Sequence, residues 1–153
     1  MSRSEHSLPP EDAGCVLVVD DNAEVRELLC VALHTAGFDV IPAGTQLELQ
    51  RRLAEAQPDA LVINLQRSEA DGLAVLSRMR ARQALHHVPI LFLSGSDDDE
   101  LRWRAVSAGA DWVGVRPLGM HVLRQQVKEL VRNGRPRVRS VRRPRWRAYL
   151  ARK

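Results

Sequence analysis

Short apolar runs and amphipathic segments alternate five times along this chain, and this rhythm limits the fold more than any other feature. Each run has the length of a buried strand: 15–19, 38–42, 60–63, 88–93 and 112–115. Each is followed by a segment with helical spacing of its apolar residues: 22–37, 45–56, 71–83, 97–109 and 118–132. Strands that alternate with helices predict an α/β fold, a parallel sheet with helices on both faces.

Local signals place several helix ends. Asn22 and Thr45 are suited to N-caps, Gly37 to a C-terminal stop, and Asp71-Gly72 to the start of the third helix. Four acids at 97–100 open the fourth helix, where the positive end of the helix dipole favours them.

Composition fits one ordinary domain. The chain has 153 residues, of which 44% are hydrophobic and 4% aromatic, so its core is mainly aliphatic. Residues 1–13 lack the apolar stretch of a secretory signal. Cys15 and Cys30 are too few for a disulfide framework, and we expect small buried thiols. No apolar run approaches the roughly 18 residues of a membrane span, so we expect a cytoplasmic protein without a membrane partner.

Charge divides the chain in two. Residues 132–153 hold ten basic residues and no acid, whereas the 131 residues before them hold 13 basic and 19 acidic residues, a net charge of −6. We therefore expect a disordered N-terminus at 1–13, a single folded domain at 14–132 and a basic, partly disordered tail at 133–153.

Polar side chains follow four of the predicted strands. They are Asp20 and Asp21, Asn64, Ser94, and Arg116. The carboxyl ends of parallel strands meet along one edge, which is the usual place of a functional crevice. Two adjacent carboxylates there are costly without a cation or hydrogen bonds. The plainer alternative is that Asp21 or Asn22 only caps the next helix.

Six motifs resemble, in order and spacing, the receiver domain of bacterial two-component response regulators. They are "VLVVDD" (16–21), "DALVIN" (59–64), "DG" (71–72), "PILFLSG" (89–95), "AGAD" (108–111) and "RP" (116–117). The resemblance covers about residues 15–132. It implies a (βα)5 flavodoxin-like, doubly wound parallel sheet. It also implies an ancestral activity in which an aspartate accepts a phosphoryl group from a histidine kinase, with Mg²⁺ held by acidic residues.

Mapped residue by residue, the resemblance implies a disabled site. The acidic Mg²⁺-binding pair maps to Asp20 and Asp21, but the phosphoacceptor aspartate maps to Asn64. An uncharged amide cannot form a stable acyl phosphate, and it removes one anionic Mg²⁺ ligand. We expect weak or absent Mg²⁺ binding at the acidic pair, no other cofactor and no enzymatic turnover.

Arg116 stands where the family has a lysine that contacts the phosphoryl group. Guanidinium groups fork onto carboxylates and stay charged. We expect Arg116 to bridge Asp20 or Asp21 as a built-in counter-cation; the alternative is that it points to solvent beside Pro117.

Other family positions also depart. Val113 replaces the Tyr or Phe that swings in typical receivers, and valine has no such travel. Ser68 replaces a usual proline. Ser94 keeps the family's strand-four hydroxyl, and it either retains that role or only hydrogen-bonds Asn64.

Two tryptophans are candidates for a partner surface. Typical receivers bind partners through helix 4, strand 5 and helix 5, where Trp103 and Trp112 would form an anchor if both are exposed. Core filling is the alternative for each. His86-His87 has no further ligands nearby in sequence, and we expect a solvated loop there and no metal site.

The tail contains the remaining candidate contact residues: Arg142, Arg143, Arg145, Trp146, Arg147 and Tyr149. Trp146, Tyr149 and Leu150 have helical spacing and would order mainly on a partner. The tail is too short for the helix-turn-helix domain that usually follows a receiver. It binds nucleic acid, docks on an acidic protein surface such as this chain's own body, or has no function.

Together these features predict a stand-alone atypical response regulator, a pseudo-receiver. It would bind protein partners, a histidine kinase or a downstream regulator, without needing phosphorylation, and a homodimer is left open. The alternative is a nucleic-acid-binding regulator that uses the tail.

Overall fold

The alternating pattern folds into one parallel sheet. The computed structural model describes residues 14–66 and 69–136. The strands are β1 (Cys15–Val19), β2 (Asp39–Ala43), β3 (Ala60–Ile63), β4 (Ile90–Ser94) and β5 (Trp112–Val115). The helices are α1 (Ala23–Thr35), α2 (Gln46–Glu55), α3 (Glu69–Ala81), α4 (Asp99–Ala108) and α5 (Met120–Asn133), with a short 3₁₀ turn (Gln83–Leu85) before β4. The strand order β2-β1-β3-β4-β5 confirms the predicted flavodoxin-like fold.

Helices cover both faces of the sheet because its central strands are apolar on both sides. On one face, α1 packs through Leu29 and Leu33 beside Leu123 and Val127 of α5. On the other face, α2, α3 and α4 pack around buried Phe92 of β4. Because the strands are parallel, the carboxyl ends of β1, β3, β4 and β5 lie together at one edge of the sheet.

The first two helices begin at the predicted caps. The Asn22 side chain accepts a hydrogen bond from the Val25 N–H at 3.0 Å. Thr45 accepts one from the Glu48 N–H at 3.1 Å. Each cap satisfies one of the donors left free in the first turn of a helix.

The predicted start of α3 is wrong. The helix begins at Glu69, so Asp71 lies inside its first turn and does not cap it. An acid anywhere in a first turn interacts favourably with the helix dipole, and its presence alone does not fix the first residue.

Several smaller predictions have mixed outcomes. Cys15 and Cys30 are free but only half-buried, and burial is the main cause that raises the pKa of both thiols. His86 and His87 are exposed. No helix in the described part of the chain is long and apolar enough to cross a membrane.

Some predictions fall outside the described residues and stay predictions. They concern the N-terminus at 1–13, Ser68, and the tail candidates Arg142, Arg143, Arg145, Trp146, Arg147 and Tyr149.

Candidate functional site

The sheet brings four of the predicted site residues to one edge. Asp20 follows β1 and Asn64 follows the neighbouring β3, where the Asn64 N–H donates to the Val19 carbonyl at 2.8 Å. Ser94 ends β4, and the N–H of Arg116, just after β5, donates to the Ser94 carbonyl at 2.7 Å. The strand ladder thus fixes the backbone under each of these side chains.

Asn64 joins a cation to an anion. Arg116 Nη1 donates to Asn64 Oδ1 at 2.7 Å, and Asn64 Nδ2 donates to Asp20 Oδ2 at 2.8 Å. Asn64 is 2% exposed and Asp20 is fully buried. A guanidinium only donates and an ionised carboxylate only accepts, so only this orientation of the amide satisfies both neighbours. An aspartate at position 64 could not donate to Asp20.

This geometry qualifies the role predicted for Arg116. Its guanidinium points into the site and also donates to the Leu93 carbonyl at 2.9 Å, so the solvent-facing alternative does not hold. These hydrogen bonds link Arg116 to Asp20 through the amide of Asn64. A direct ion pair with Asp20 or Asp21 stays a prediction.

Asp20 has two further hydrogen-bond partners that its sequence pattern did not predict. Its Oδ1 accepts the Asn22 N–H at 2.9 Å, and Arg26 Nη1 donates to its backbone carbonyl at 2.8 Å. Burial raises the pKa of Asp20, and the hydrogen bonds from Asn22 and Asn64 oppose that rise. Arg26 could have been found from its spacing, since it lies one helical turn after the cap that follows Asp20.

Asp21 faces a different space. Its Oδ1 accepts the Gln66 N–H at 3.1 Å, and it lines a cavity of about 250 Å³ together with Asp71 and Arg78. Asn64 does not line that cavity. The two neighbouring acids therefore have different environments. Asp20 is fully buried and bonded to Asn64, whereas Asp21 is half-buried at the cavity wall.

Ser94 is hydrogen-bonded to its own loop, and Val113 is buried in the core. The Ser94 hydroxyl donates to the Ser96 carbonyl at 2.8 Å and accepts the Ser96 N–H at 3.0 Å. The predicted hydrogen bond between Ser94 and Asn64 is therefore not formed. Val113 is 9% exposed and lies in the core beside Phe92, its partner on β4. Neither side chain is placed to swing.

The partner anchor considered for Trp103 and Trp112 depends on both being exposed. Both are half-buried. Trp112 packs with the core on the α1 and α5 face, and its ring covers Gly114 so closely that a Cβ there would lie 2.6 Å from it. Trp103 lies on α4, which covers the opposite face. Core filling is the better description of Trp112.

The donor set fits Mg²⁺ poorly. Mg²⁺ favours carboxylate oxygens in near-octahedral geometry. Here the amide oxygen of Asn64 is taken by a guanidinium, and one oxygen of Asp20 is taken by the amide nitrogen. In the part of the chain that the structure describes, no three His, Cys, Asp or Glu side chains are grouped to hold a metal ion. A cation that used the Asn64 oxygen would have to displace Arg116 from it.

Comparisons with known proteins agree with this architecture. Residues 16–128 match the response regulator receiver domain. The transcriptional regulatory protein PrrA of Mycobacterium leprae is 35% identical over 117 residues, which are 76% of this chain and 49% of that protein. The phosphate regulon transcriptional regulatory protein PhoB of Rhizobium meliloti is 31% identical over 127 residues, 82% of this chain and 55% of that protein. The chain spans about half the length of these relatives.

Solved structures give the same result. A putative response regulator from Chloroflexus aurantiacus has a TM-score of 0.69 at 28% identity, covering 78% of this chain and 98% of that one. The chemotaxis response regulator CheY4 of Vibrio cholerae has a TM-score of 0.67 at 23% identity, covering 76% and 97%; this likeness shows the fold alone. With its fold, site positions and family match in agreement, this chain belongs to the response regulator receiver domain family.

Proposed function

We propose that this receiver is a pseudo-receiver: it takes part in two-component or phosphorelay-type signal transduction by binding protein partners without being phosphorylated. One observation carries the proposal. The position equivalent to the phosphoacceptor holds a buried amide, Asn64, whose two polar ends are bound to Arg116 and Asp20.

Phosphoryl transfer to a receiver needs an anionic oxygen in line with the incoming phosphorus. The Asn64 oxygen is uncharged, lies 2.7 Å from a guanidinium nitrogen and belongs to a residue that is 2% exposed. A phosphodonor would have to displace Arg116 and would then meet a poor nucleophile. The protein is therefore not an enzyme in this proposal.

The site also works without a metal cofactor. In a phosphorylatable receiver a divalent cation offsets clustered carboxylates, whereas here a permanent cation, Arg116, reaches Asp20 through Asn64. Mg²⁺ binding at Asp20 and Asp21 is weak or absent.

Signalling then depends on the folded surface itself. The partner is a histidine kinase or a downstream regulator that recognises the receiver in its constant state. Val113 in the core and Ser94 bound to its own loop support a constant state, because neither has a rearrangement to report.

The test is exposure to acetyl phosphate with millimolar Mg²⁺, followed by intact-mass measurement, with a phosphorylatable receiver as positive control. We expect no phosphoryl adduct on the wild type. Stoichiometric modification that disappears in Asn64→Ala, or a phosphoryl group on Ser94, would contradict the proposal. Asn64→Asp, which restores the acid, shows whether Arg116 alone still blocks transfer.

A second function is favoured by a separate feature, the ten basic residues without an acid at 132–153. A chain end of this charge can bind nucleic-acid phosphates. The curated relatives PrrA and PhoB are named transcriptional regulatory proteins, and nucleic-acid binding by the tail is the alternative function.

A further inference from the structure

The first residues of the tail are anchored at the amino edge of the sheet, opposite the Asn64 site. Arg135 Nε donates to Asp111 Oδ1 at 2.9 Å, and Arg135 Nη1 donates to the His86 carbonyl at 2.9 Å. Asp111 is a firm anchor because its side chain is 4% exposed and its other oxygen binds Arg80 at 2.9 Å and the Ile90 N–H at 2.8 Å. None of these contacts was expected from the sequence pattern.

Acidic residues continue along the same edge away from this anchor. Asp59 precedes β3, and its carboxylate accepts the Cys15 N–H at 2.8 Å. Asp39 opens β2 directly across from Cys15 in the register of β1 and β2. Both acids are exposed. A chain with several arginines that leaves the anchor towards β2 would meet them in turn.

Beyond these acids, α1 presents apolar side chains to solvent. Leu28 is 64% exposed and Val31 is 58% exposed, and they are neighbours one helical turn apart. Glu24 and Glu27 are exposed and complete the same face. We call these four residues the α1 patch. An apolar pair beside two acids suits a partner that combines aromatic and basic side chains.

We propose that residues 146–150 of this same chain dock on the α1 patch, with the arginines of 137–145 lying along Asp59 and Asp39. Trp146, Tyr149 and Leu150 supply the apolar contact, and Arg145 and Arg147 face the two glutamates. This goes beyond the proposed function, because it assigns the basic tail an intramolecular site and the α1 patch an occupant.

The chain is long enough for this path. Ten residue steps separate Pro136, the last described residue, from Trp146, and in extended form they span up to about 33 Å. Crossing the four strand spacings from β5 to β2 and following α1 back to Leu28 takes about 30 Å. A docked tail would cover the α1 patch and hold its own arginines away from nucleic acid. The contact would therefore inhibit the binding of nucleic acid by the tail.

The experiment measures trypsin cleavage within residues 137–153 of the full chain, compared with a synthetic peptide of that sequence. The test variant is Leu28→Gln with Val31→Gln. The matched control is Leu47→Gln, which changes a leucine that is 61% exposed on α2, away from the patch. These substitutions remove apolar surface without adding charge or trypsin sites.

We expect the wild-type tail to be protected relative to the peptide. The tail of the patch variant should be cleaved about tenfold faster than that of the wild type, because cleavage follows the population of the open form. The tail of Leu47→Gln should be cleaved at the wild-type rate. Trp146→Ser with Leu150→Ser should release the tail equally, and combining it with the patch variant should add little, as expected of partners in one contact.

Three outcomes would overturn the proposal. The first is wild-type cleavage as fast as that of the free peptide. The second is equal protection in the patch variant and in Leu47→Gln. The third is protection that rises with protein concentration, which would place the tail on a second copy.

Discussion

At the scale of single residues, the hydrogen bonds of the site depend on the amide of Asn64. Asn64 donates at one end and accepts at the other, so it joins Arg116 to a buried carboxylate. An aspartate has the same shape but can only accept when ionised. In the proposed function, this single exchange replaces an external cation by the chain's own Arg116.

Asn64→Asp should weaken the fold in the absence of Mg²⁺. The new carboxylate would stand at hydrogen-bonding distance from Asp20, which would also lose a donor, and we expect a loss of about 1–3 kcal/mol in the free energy of unfolding. Millimolar Mg²⁺ should restore part of it in the variant and leave the wild type almost unchanged. Urea unfolding in EDTA and in Mg²⁺ measures both.

The control for that prediction is Asn133→Asp, the same chemical change at the exposed end of α5. It should cost a few tenths of a kcal/mol and show no Mg²⁺ response. A large Mg²⁺-dependent rise in the melting temperature of the wild type would contradict the assigned role of Arg116.

Asp20 should make stability depend on pH. Burial raises its pKa in the folded state above the unfolded value near 3.9. The folded protein thus takes up this proton more readily than the unfolded chain, and the associated stability is lost as pH rises through the folded pKa. The amide introduced by Asp20→Asn does not ionise, so stability relative to wild type should shift in favour of the variant as pH increases.

Urea unfolding of both proteins in EDTA, from about pH 4 to about pH 8, measures this difference. Asp20→Asn also loses an acceptor for Asn64, but that cost does not vary with pH, so only the slope is diagnostic. The exposed Asp97→Asn variant gives the background slope. A difference between Asp20→Asn and wild type that stays flat over this range would contradict the prediction.

The meeting of Asp20, Asn64, Ser94 and Arg116 was predictable because parallel strands place their carboxyl ends at one edge. The hydrogen-bond partners were not predictable. Ser94 could reach either Asn64 or its own loop, and the turn at Ser96 decides between them. Sequence spacing fixes which strand ends are neighbours, whereas loop geometry and side-chain reach fix which atoms meet.

At the scale of secondary structure elements, Gly109 ends α4 in a way that only glycine permits. Its φ is 117°, and a Cβ there would lie 2.6 Å from Arg80 Cγ. Arg80 donates to the Gly109 carbonyl and to Asp111, so it cannot move without breaking that cluster. Gly134 also has a positive φ, 72°, but nothing lies within 4 Å of its Cβ position.

Gly109→Ala should therefore destabilise the protein more than Gly134→Ala. We expect a loss of about 2–4 kcal/mol for Gly109→Ala, from backbone strain plus disruption of the Arg80 cluster. For Gly134→Ala we expect about 1–2 kcal/mol from backbone strain alone, because its φ of 72° and ψ of −169° lie in a region used almost only by glycine. Chemical denaturation of both variants tests this, and equal losses would mean that Arg80 relaxes without cost.

Strand bounds were predicted better than helix starts, for a physical reason. β1, β3 and β5 have the predicted limits because apolar runs end where polar residues leave the sheet. β4 starts at Ile90 and not at 88, because the Val88 N–H bonds to the Leu85 carbonyl in the preceding turn. Local hydrogen bonds of this kind leave little trace in a hydrophobic pattern.

At the scale of the whole molecule, the Asn64 site and the Arg135–Asp111 anchor lie on opposite edges of the sheet. The Asn64 site lies at the carboxyl edge, and the Arg135–Asp111 anchor lies at the amino edge. The fold therefore separates Arg135, at the start of the tail, from the Asn64 site. It also shows where to cut: α5 continues to Asn133 and Arg135 holds the anchor, so a truncation after Pro136 keeps both.

Truncation to residues 1–136 should abolish any binding of duplex or single-stranded DNA. It keeps α5 and the Arg135 anchor but removes eight basic residues, so the net charge changes from +4 to −4. If all eight contacted phosphates of duplex DNA, the logarithm of the binding constant would fall with the logarithm of salt concentration with a slope of about −7. We expect a shallower slope and binding only at low salt for the full chain, since docking on the α1 patch competes with DNA.

Leu28→Gln with Val31→Gln should then strengthen DNA binding and steepen the salt dependence of the binding constant, and Leu47→Gln should not. Fluorescence anisotropy over a salt series measures these differences. Tight binding at physiological salt by the wild type would instead make nucleic acid the main partner of the tail.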